Sequence, residues 1–260
     1  MALTTHALRR YAEVRDFVPR PVRRFLNLAW CLVGYAGILT TRLPPRTRWR
    51  LIRSFLRVDS NVARAHQPAE MAEIVRWLAS RKPGGELFVE AGCWKGGSSC
   101  KFSHLCEVLG YKLIIYDSFA GVEAVDESAE MDFSRMYAST RQEVAENLRR
   151  YGVAARCELI PGWFSETIAR GAPATVAVAY IDCDLAKGTY EVLSGIIGKL
   201  SPNGIVFTQD YHIPVVKNLL HDPNTWQSLG VDPPFIQPLC FNLAALTFAP
   251  PEASAKPTIT

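Results

Sequence analysis

The sequence predicts an α/β protein in which helices cover both faces of one open, doubly wound parallel sheet, closed by an antiparallel last strand. Apolar strand patterns alternate with helical ones from about residue 65 onward. A glycine-rich turn joins the first strand to a helix, and four strands end in acidic or amide residues. A chain of 260 residues that is 48% hydrophobic can bury the core of one such domain.

The glycine-rich turn lies in the run Phe88–Ser99, between the strand pattern Glu86–Val89 and the helical spacing of Ser99–Leu109. Glycines allow a tight turn and a close approach of a ligand to the backbone, and the helix start offers unpaired N–H groups. The order is GxxxGG, which differs from the GxGxxG of dinucleotide folds, and no Lys follows Gly97. An ordinary glycine-rich connection between strand and helix remains the alternative.

The second strand, Lys112–Tyr116, runs directly into Asp117 and Ser118. A carboxylate at this point, about one βα unit after the glycines, is placed to accept hydrogen bonds from ribose hydroxyls. Asp is also a common turn residue, so a structural role remains open.

The other predicted elements follow from periodicity and from turn residues. Helices are predicted over Gln67–Arg81, over Ser139–Tyr151 with Ser139 or Thr140 as cap, and after Asp184 as far as Leu200. Strands are predicted at Cys157–Ile160, Ala174–Ile181, Ile205–Thr208, Phe235–Leu239 and Ala244–Phe248, with a turn at Ser201–Gly204. The acidic segment Ala120–Met136 is predicted to cover the site.

Polar residues collect at or just beyond the carboxyl ends of the predicted strands. They are Glu90, Asp117, Asp182, Asp184, Gln209, Asp210 and His212. Open α/β sheets bind their ligands at this edge, so we interpret these residues as one functional cluster.

The first 57 residues carry twelve Arg and two acidic residues, whereas the other 203 carry seventeen basic and twenty-three acidic ones. Phe25–Thr41 has no charge over seventeen residues, which is short for a membrane span. It predicts either an interfacial helix on anionic lipid, through residues 20–57, or a helix pair packed on the domain or in a homodimer. Nucleic acid is not expected as a partner, because base-stacking aromatics do not interleave the arginines.

We therefore predict a basic and apolar helical extension over residues 1–58, a main domain over 59–249 and a disordered tail over 250–260. The seven cysteines are scattered and no secretory start is visible, which predicts an intracellular protein without disulfides. The expected location is cytoplasmic, with possible peripheral contact at the inner membrane face.

The series FVEAGCWKGGSS, YDSFAG, PGWFSET, YIDCDLAKGTYEVL and SPNGIVFTQDYH spans roughly residues 65–248. It resembles the class I S-adenosylmethionine-dependent O-methyltransferases of the macrocin O-methyltransferase type. The resemblance implies a Rossmann-like sheet with an antiparallel last strand and methylation of a hydroxyl on a sugar, glycan or natural product.

The resemblance also implies a site. The cofactor-binding residues would be Glu90, Gly92, Gly96, Gly97 and Ser98 at the methionine end, Asp117 and Ser118 at the ribose, and Gly162, Trp163 and Phe164 at the adenine. A Mg²⁺ would be held by Asp182, Gln209 and Asp210. The sequence departs from the family at Ala186, where a tyrosine is usual, and at Gln209, where an Asp is usual.

Methyl transfer to a hydroxyl also needs a group that removes the proton. Either Asp182 or His212 would serve as this catalytic base. Two other functions remain open: a catalytically silent module that binds a membrane or protein partner, and a nicotinamide-dependent oxidoreductase. Binding of S-adenosylmethionine would exclude the first, and absence of NAD binding would exclude the second.

Overall fold

A computed structural model describes residues 20–81, 83–123 and 136–248 of the chain. Along these ranges the helices are α1 (Arg20–Leu39), α2 (Pro45–Asn61), α3 (Pro68–Arg81), α4 (Gly97–Leu109), α5 (Arg141–Tyr151), α6 (Ala186–Ile196), α7 (Pro214–His221) and α8 (Pro223–Ser228). The strands are β1 (Leu87–Ala91), β2 (Lys112–Asp117), β3 (Cys157–Pro161), β4 (Val176–Ile181), β5 (Leu200–Thr208), β6 (Phe235–Pro238) and β7 (Ala244–Thr247). The predicted tail and most of the predicted acidic cover over residues 120–136 lie outside the described ranges.

The seven strands form one sheet in the order β3-β2-β1-β4-β5-β7-β6. The first five pair in parallel, and β7 runs antiparallel between β5 and β6. The predicted doubly wound sheet with an antiparallel last strand is therefore confirmed. In register, Ala91 pairs with Tyr116 and Ile181, and Ile181 pairs with Thr208. This register brings the ends of the parallel strands to one edge.

Successive side chains of the central strands enter two separate cores, one on each face of the sheet. Phe88 packs on the face covered by α1 to α5, and Val89 packs on the face covered by α6 to α8. Every residue of β1 and β4 is buried. Such strands produce the continuous apolar runs seen in the sequence, because both faces are covered.

The predicted turn at Ser201–Gly204 is wrong, and so is the predicted helix as far as Leu200. Helix α6 ends at Ile196, a 3₁₀ turn follows, and β5 begins at Leu200. Leu200 pairs with Val176, and Ile205 pairs with Val178. The residues between Leu200 and Ile205 therefore form an irregular widening of β5, because its partner strand advances by only two positions over the same stretch.

The N-terminal helices share the core of the sheet. Tyr35 of α1 and Phe55 of α2 are fully buried in the same cluster as Phe88. Helix α1 packs mainly on α3, yet Phe25 and Val33 on its other side keep 68% and 73% of their surface exposed. The helix pair thus folds over the domain and leaves one apolar face of α1 exposed. Within the described ranges, the structure contains no helix with the length and apolar character that a membrane crossing requires.

Candidate functional site

The glycine loop between β1 and α4 is shaped by contacts that exclude a side chain. Gly92 has φ +85°, and a Cβ on it would lie 1.8 Å from the backbone oxygen of Asp182. Gly96 caps α4 with φ +78°, and no side chain accepts from the N–H groups at the helix start. The loop therefore presents bare backbone and free donors at the edge where the strands end.

Asp117, the last residue of β2, holds this loop in place. Its Oδ2 accepts from the backbone N–H of Cys93 at 2.7 Å and of Trp94 at 3.3 Å. Its Oδ1 accepts from the N–H of Phe119 at 2.7 Å. Each carboxylate oxygen can accept more than one hydrogen bond, so Asp117 still has capacity for a ligand hydroxyl.

Glu90 lies one layer below the loop. It is fully buried, and neither carboxylate oxygen has a partner at good hydrogen-bond geometry in the described part of the chain. Burial raises the pKa of this carboxyl to about 8, although the Ser98 and Ser99 hydroxyls are near enough to lower its pKa in part. Glu90 does not line the cavity described next.

A cavity of about 340 Å³ opens at the carboxyl ends of the first five strands. The predicted residues that line it are Gly92, Gly97, Ser98, Asp117, Ser118, Gly162, Trp163, Phe164, Asp182, Gln209 and His212. Glu90, Gly96 and Asp210 lie behind this wall rather than in it. Eleven of the predicted side chains or glycines, from five different loops, therefore meet at one space.

Three carboxylates meet at the ends of β4 and β5. One oxygen from each of Asp182, Asp184 and Asp210 lies within 4.8 Å of the other two. Oδ2 of Asp210 accepts from the N–H of Cys183 at 2.8 Å and of Asp184 at 2.9 Å, while its Oδ1 is buried without a partner. The cluster thus contains one buried carboxylate oxygen, Oδ1 of Asp210, that could ligate a metal ion.

Proton affinity in this cluster is increased by its surroundings. Burial raises the pKa of Asp182 well above its usual range, and the charges of Asp210 and Asp184 add to the effect. Burial raises the pKa of Asp184 to about 6. Burial, followed by the charge of Asp184, raises the pKa of Asp210 to about 7. Carboxylates this close repel each other when ionised, so the donor set fits a divalent cation with oxygen ligands.

Asp184 belongs to this cluster, although the sequence assigned it no metal role. It turns inward through a left-handed backbone, with φ +61°. The predicted Gln209 is buried and lines the cavity, and its backbone N–H donates to Ile181 at 2.9 Å. Asp184 thus brings a third carboxylate to the site, where the resemblance implied an Asp at position 209.

His212 lines the same cavity, and its side chain is exposed to solvent there. Its Nδ1 lies 3.3 Å from the carbonyl oxygen of Gln209. Because a carbonyl only accepts, Nδ1 carries the hydrogen and Nε2 keeps a free lone pair. Burial lowers the pKa of this imidazole below 6.5, so the ring is neutral at pH 7 and can accept a proton.

Three further wall residues were not found by sequence reasoning: Arg64, His66 and Tyr137. Arg64 and His66 precede α3, and Tyr137 packs edge-on against Trp94 with ring centroids 5.5 Å apart. Burial raises the pKa of Tyr137, with the Asp184 charge as the next cause. No local pattern marks these residues, because only the tertiary fold brings them to the cavity.

Comparison with known proteins places this site in a family context. The chain is 31% identical over 157 residues to 8-demethyl-8-(2,3-dimethoxy-alpha-L-rhamnosyl)-tetracenomycin-C 4'-O-methyltransferase of Streptomyces olivaceus, a match that covers 56% of this chain and 59% of that protein. It is 28% identical over 155 residues to mycinamicin III 3''-O-methyltransferase of Micromonospora griseorubida, covering 54% and 60%. The chain thus spans less than two thirds of the length of these curated relatives.

The fold also matches a solved structure, that of the O-methyltransferase NovP. The TM-score is 0.62 at 22% identity, and the match covers 87% of this chain and 99% of that one. The family model described as Macrocin-O-methyltransferase (TylF) matches residues 66–232, which include the glycine loop, Asp117 and the carboxylate cluster. This match covers more than half of the chain, so the chain belongs to the macrocin O-methyltransferase family.

Proposed function

We propose that this chain is an S-adenosylmethionine-dependent O-methyltransferase that methylates a hydroxyl of a sugar carried by a natural product. The observation that carries the proposal is the carboxylate cluster of Asp182, Asp184 and Asp210, which lies at the same cavity as the glycine loop. Two relatives named for O-methylation of a rhamnosyl tetracenomycin and of mycinamicin III support the acceptor class.

Different loops of the cavity wall bind different parts of the methyl donor. Asp117 accepts from the ribose hydroxyls, Gly162 to Phe164 border the adenine, and the loop from Gly92 to Ser98 holds the methionine end. Bound S-adenosylmethionine would supply a sulfonium methyl group: the acceptor oxygen bonds to this methyl carbon in line, and S-adenosylhomocysteine leaves with the electrons of the broken C–S bond. The protein must then orient the acceptor hydroxyl and take its proton.

Two sets of residues act on the acceptor hydroxyl: the three carboxylates and His212. Asp182, Asp184 and Asp210 would hold Mg²⁺, with the amide oxygen of Gln209 in reach of the same cavity. Bound Mg²⁺ would supply Lewis acidity that lowers the pKa of the hydroxyl. Nε2 of His212 takes the proton, because this ring is neutral and its tautomer leaves that lone pair free.

The test is a methylation assay on glycosylated natural products, read as a mass gain of one CH₂. We expect EDTA to abolish turnover and Mg²⁺ to restore it. Asp184→Asn should be inactive, and His212→Ala should lose on the order of 10²–10⁴-fold in rate. Lys217→Met, on the surface beside this region, is the control and should keep full rate.

Two results would contradict these roles. Full activity in EDTA would refute the role of the metal. Full activity of the His212→Ala enzyme would refute the role of His212 as the base. If the wild-type protein bound no S-adenosylmethionine in calorimetry, the silent-module alternative would replace the enzyme.

We also propose that the exposed apolar face of α1 rests peripherally on an anionic lipid surface from the cytoplasmic side. Phe25 and Val33 supply the apolar contact. The excess of ten positive charges over residues 1–57 supplies the attraction. A homodimer through the same face is the alternative occupant.

A further inference from the structure

The loop that joins α2 to α3 lies against the start of α4. A Cβ on Gly97 would come within 2.6 Å of the backbone oxygen of Ala63. Arg64 and His66 of the same loop line the cavity. The unpaired N–H groups at the helix start and two nitrogen-bearing side chains therefore meet at one end of the cavity.

His66 is held in one tautomer by a buried lysine. Its Nε2 lies 2.7 Å from Nζ of Lys101, which is fully buried and donates to it. Nδ1 must then carry the hydrogen, since a neutral imidazole has one donor and one acceptor. The ring is only 3% exposed, and Nδ1 has no partner among the described side chains and backbone. His66 lines the cavity, so this N–H is available to an acceptor on a ligand there.

The lysine is fixed in turn by the N-terminal helices. Nζ of Lys101 also donates to Asp59 at the end of α2. The same carboxylate accepts from the hydroxyl of Tyr35 in α1. This chain of contacts makes the tautomer of His66 depend on helices that lie outside the residues matched by the family model, which begin at residue 66.

Arg64 supplies a positive charge at this end of the cavity. Its Nη2 donates to Asn27 at 3.1 Å, and its Nε lies 3.5 Å from Asp59, whereas its Nη1 is buried without a partner in the described structure. Arg64 is the single cation among the described residues that line the cavity. The carboxylates in the same lining are Asp117, Glu123, Asp182, Asp184 and Glu191. An anionic group that enters this cavity is therefore repelled everywhere except at the Arg64 end.

We propose that Arg64 and His66 bind the carboxylate of the methionine end of S-adenosylmethionine, together with the N–H groups that begin α4. This inference rests on the proposed function and assigns two residues to it. The donor's sulfonium and ammonium groups are left facing the acidic part of the wall. Lys101 and Asp59 act as positioning residues, because they set the tautomer of His66 without touching the ligand.

Calorimetry with two ligands isolates the carboxylate. S-adenosylmethionine and its decarboxylated form differ only in that group. We expect the wild-type protein to bind the decarboxylated form roughly tenfold to a hundredfold more weakly, the range for a hydrogen-bonded charge. His66→Ala and Arg64→Met should each weaken binding of S-adenosylmethionine by a similar factor and leave binding of the decarboxylated form unchanged. His66→Asn keeps a donor near Nδ1 and should recover part of the loss.

Arg76→Met is the matched control, because Arg76 is an exposed cation bonded to Glu73 at 2.7 Å. It should change neither affinity. Equal losses for both ligands in His66→Ala and Arg64→Met would mean a general structural effect and would overturn the assignment. So would variants that keep the wild-type affinity for S-adenosylmethionine but lose binding of inorganic pyrophosphate, which would assign the site to an acceptor phosphate. A wild-type protein that binds neither ligand would instead refute the proposed function.

Discussion

Asp117 combines a structural task with a ligand-binding one. Its two oxygens already accept three backbone N–H groups, from Cys93, Trp94 and Phe119. A carboxylate that is fixed in this way loses little freedom when it accepts a further hydroxyl. The geometry of the glycine loop and the affinity for the ribose are therefore coupled through one side chain.

Replacement of Asp117 by Ala should weaken binding of S-adenosylhomocysteine by about 1.5–3 kcal/mol, the scale for losing a charged hydrogen-bond partner. Because the loop loses its anchor as well, the melting temperature should also fall. Calorimetry and thermal unfolding measure the two effects. Glu158→Ala is the control, because Glu158 is an exposed carboxylate that pairs with Lys112 outside the cavity wall, and it should change both much less. Unchanged affinity in Asp117→Ala would refute the ribose assignment.

Some residues of the site could be predicted from the sequence, and others could not. Asp117 and Asp182 follow strands directly, so their position at the sheet edge could be predicted from the strand pattern. Asp184 was also predicted at this edge, but its close approach to Asp182 and Asp210 was not, because the sequence does not indicate its left-handed backbone at φ +61°. Arg64 and His66 reach the cavity only through packing of the α2–α3 loop on α4, which no local pattern encodes.

At the scale of elements, the start of α3 is tied to the β6–β7 connection by one buried carboxylate. Oε2 of Glu70 accepts from the N–H of Gln67 at 2.7 Å, as in a capping box. Oε1 accepts from the N–H of Asn242 at 3.0 Å. Glu70 is fully buried, and burial raises its pKa from 4.5 to about 7.

This raised pKa predicts a pH-dependent stability. Folded Glu70 binds its proton more tightly than the unfolded chain does, so its contribution is fully present below about pH 4.5 and is lost as pH rises through about 7. The full effect is on the order of 3 kcal/mol. In thermal unfolding from pH 5 to 8, Glu70→Gln should lose less stability than the wild type. Glu73→Gln, on the same helix, should keep the wild-type slope, and an identical slope in Glu70→Gln would contradict the prediction.

Elements set by local chemistry were predicted well. Thr140 caps α5 and accepts from the N–H of Glu143 at 3.0 Å, as one of the two expected caps. The start of β5 was not predicted, because Pro202 and its neighbours signal a turn, whereas β5 already begins at Leu200, which pairs with Val176 of β4. A local signal thus placed the start of α5, whereas the end of α6 and the start of β5 depended on pairing with β4.

On the scale of the whole molecule, the predicted boundary after residue 58 is not a boundary of the core. Phe55 and Val58 pack in the same cluster as Phe88 and Phe102. The net charge of the chain nevertheless changes from positive to negative at this point. A change in composition along the chain therefore does not mark a boundary in packing. A deletion of residues 1–57 would therefore remove core residues and cannot test membrane contact by itself.

Point substitutions on the exposed face of α1 can test that contact. The wild-type protein should sediment with vesicles that contain phosphatidylglycerol and should be partly released at high salt, because arginine–lipid attraction is screened. The double variant Phe25→Glu, Val33→Glu should lose sedimentation and keep its affinity for S-adenosylhomocysteine. Val215→Glu on α7 is the matched control, because Val215 is also an exposed apolar residue. The membrane proposal would be wrong if the wild-type protein did not sediment with the vesicles. If the wild-type protein also formed a dimer that the double variant could not form, this face would bind a second copy of the chain.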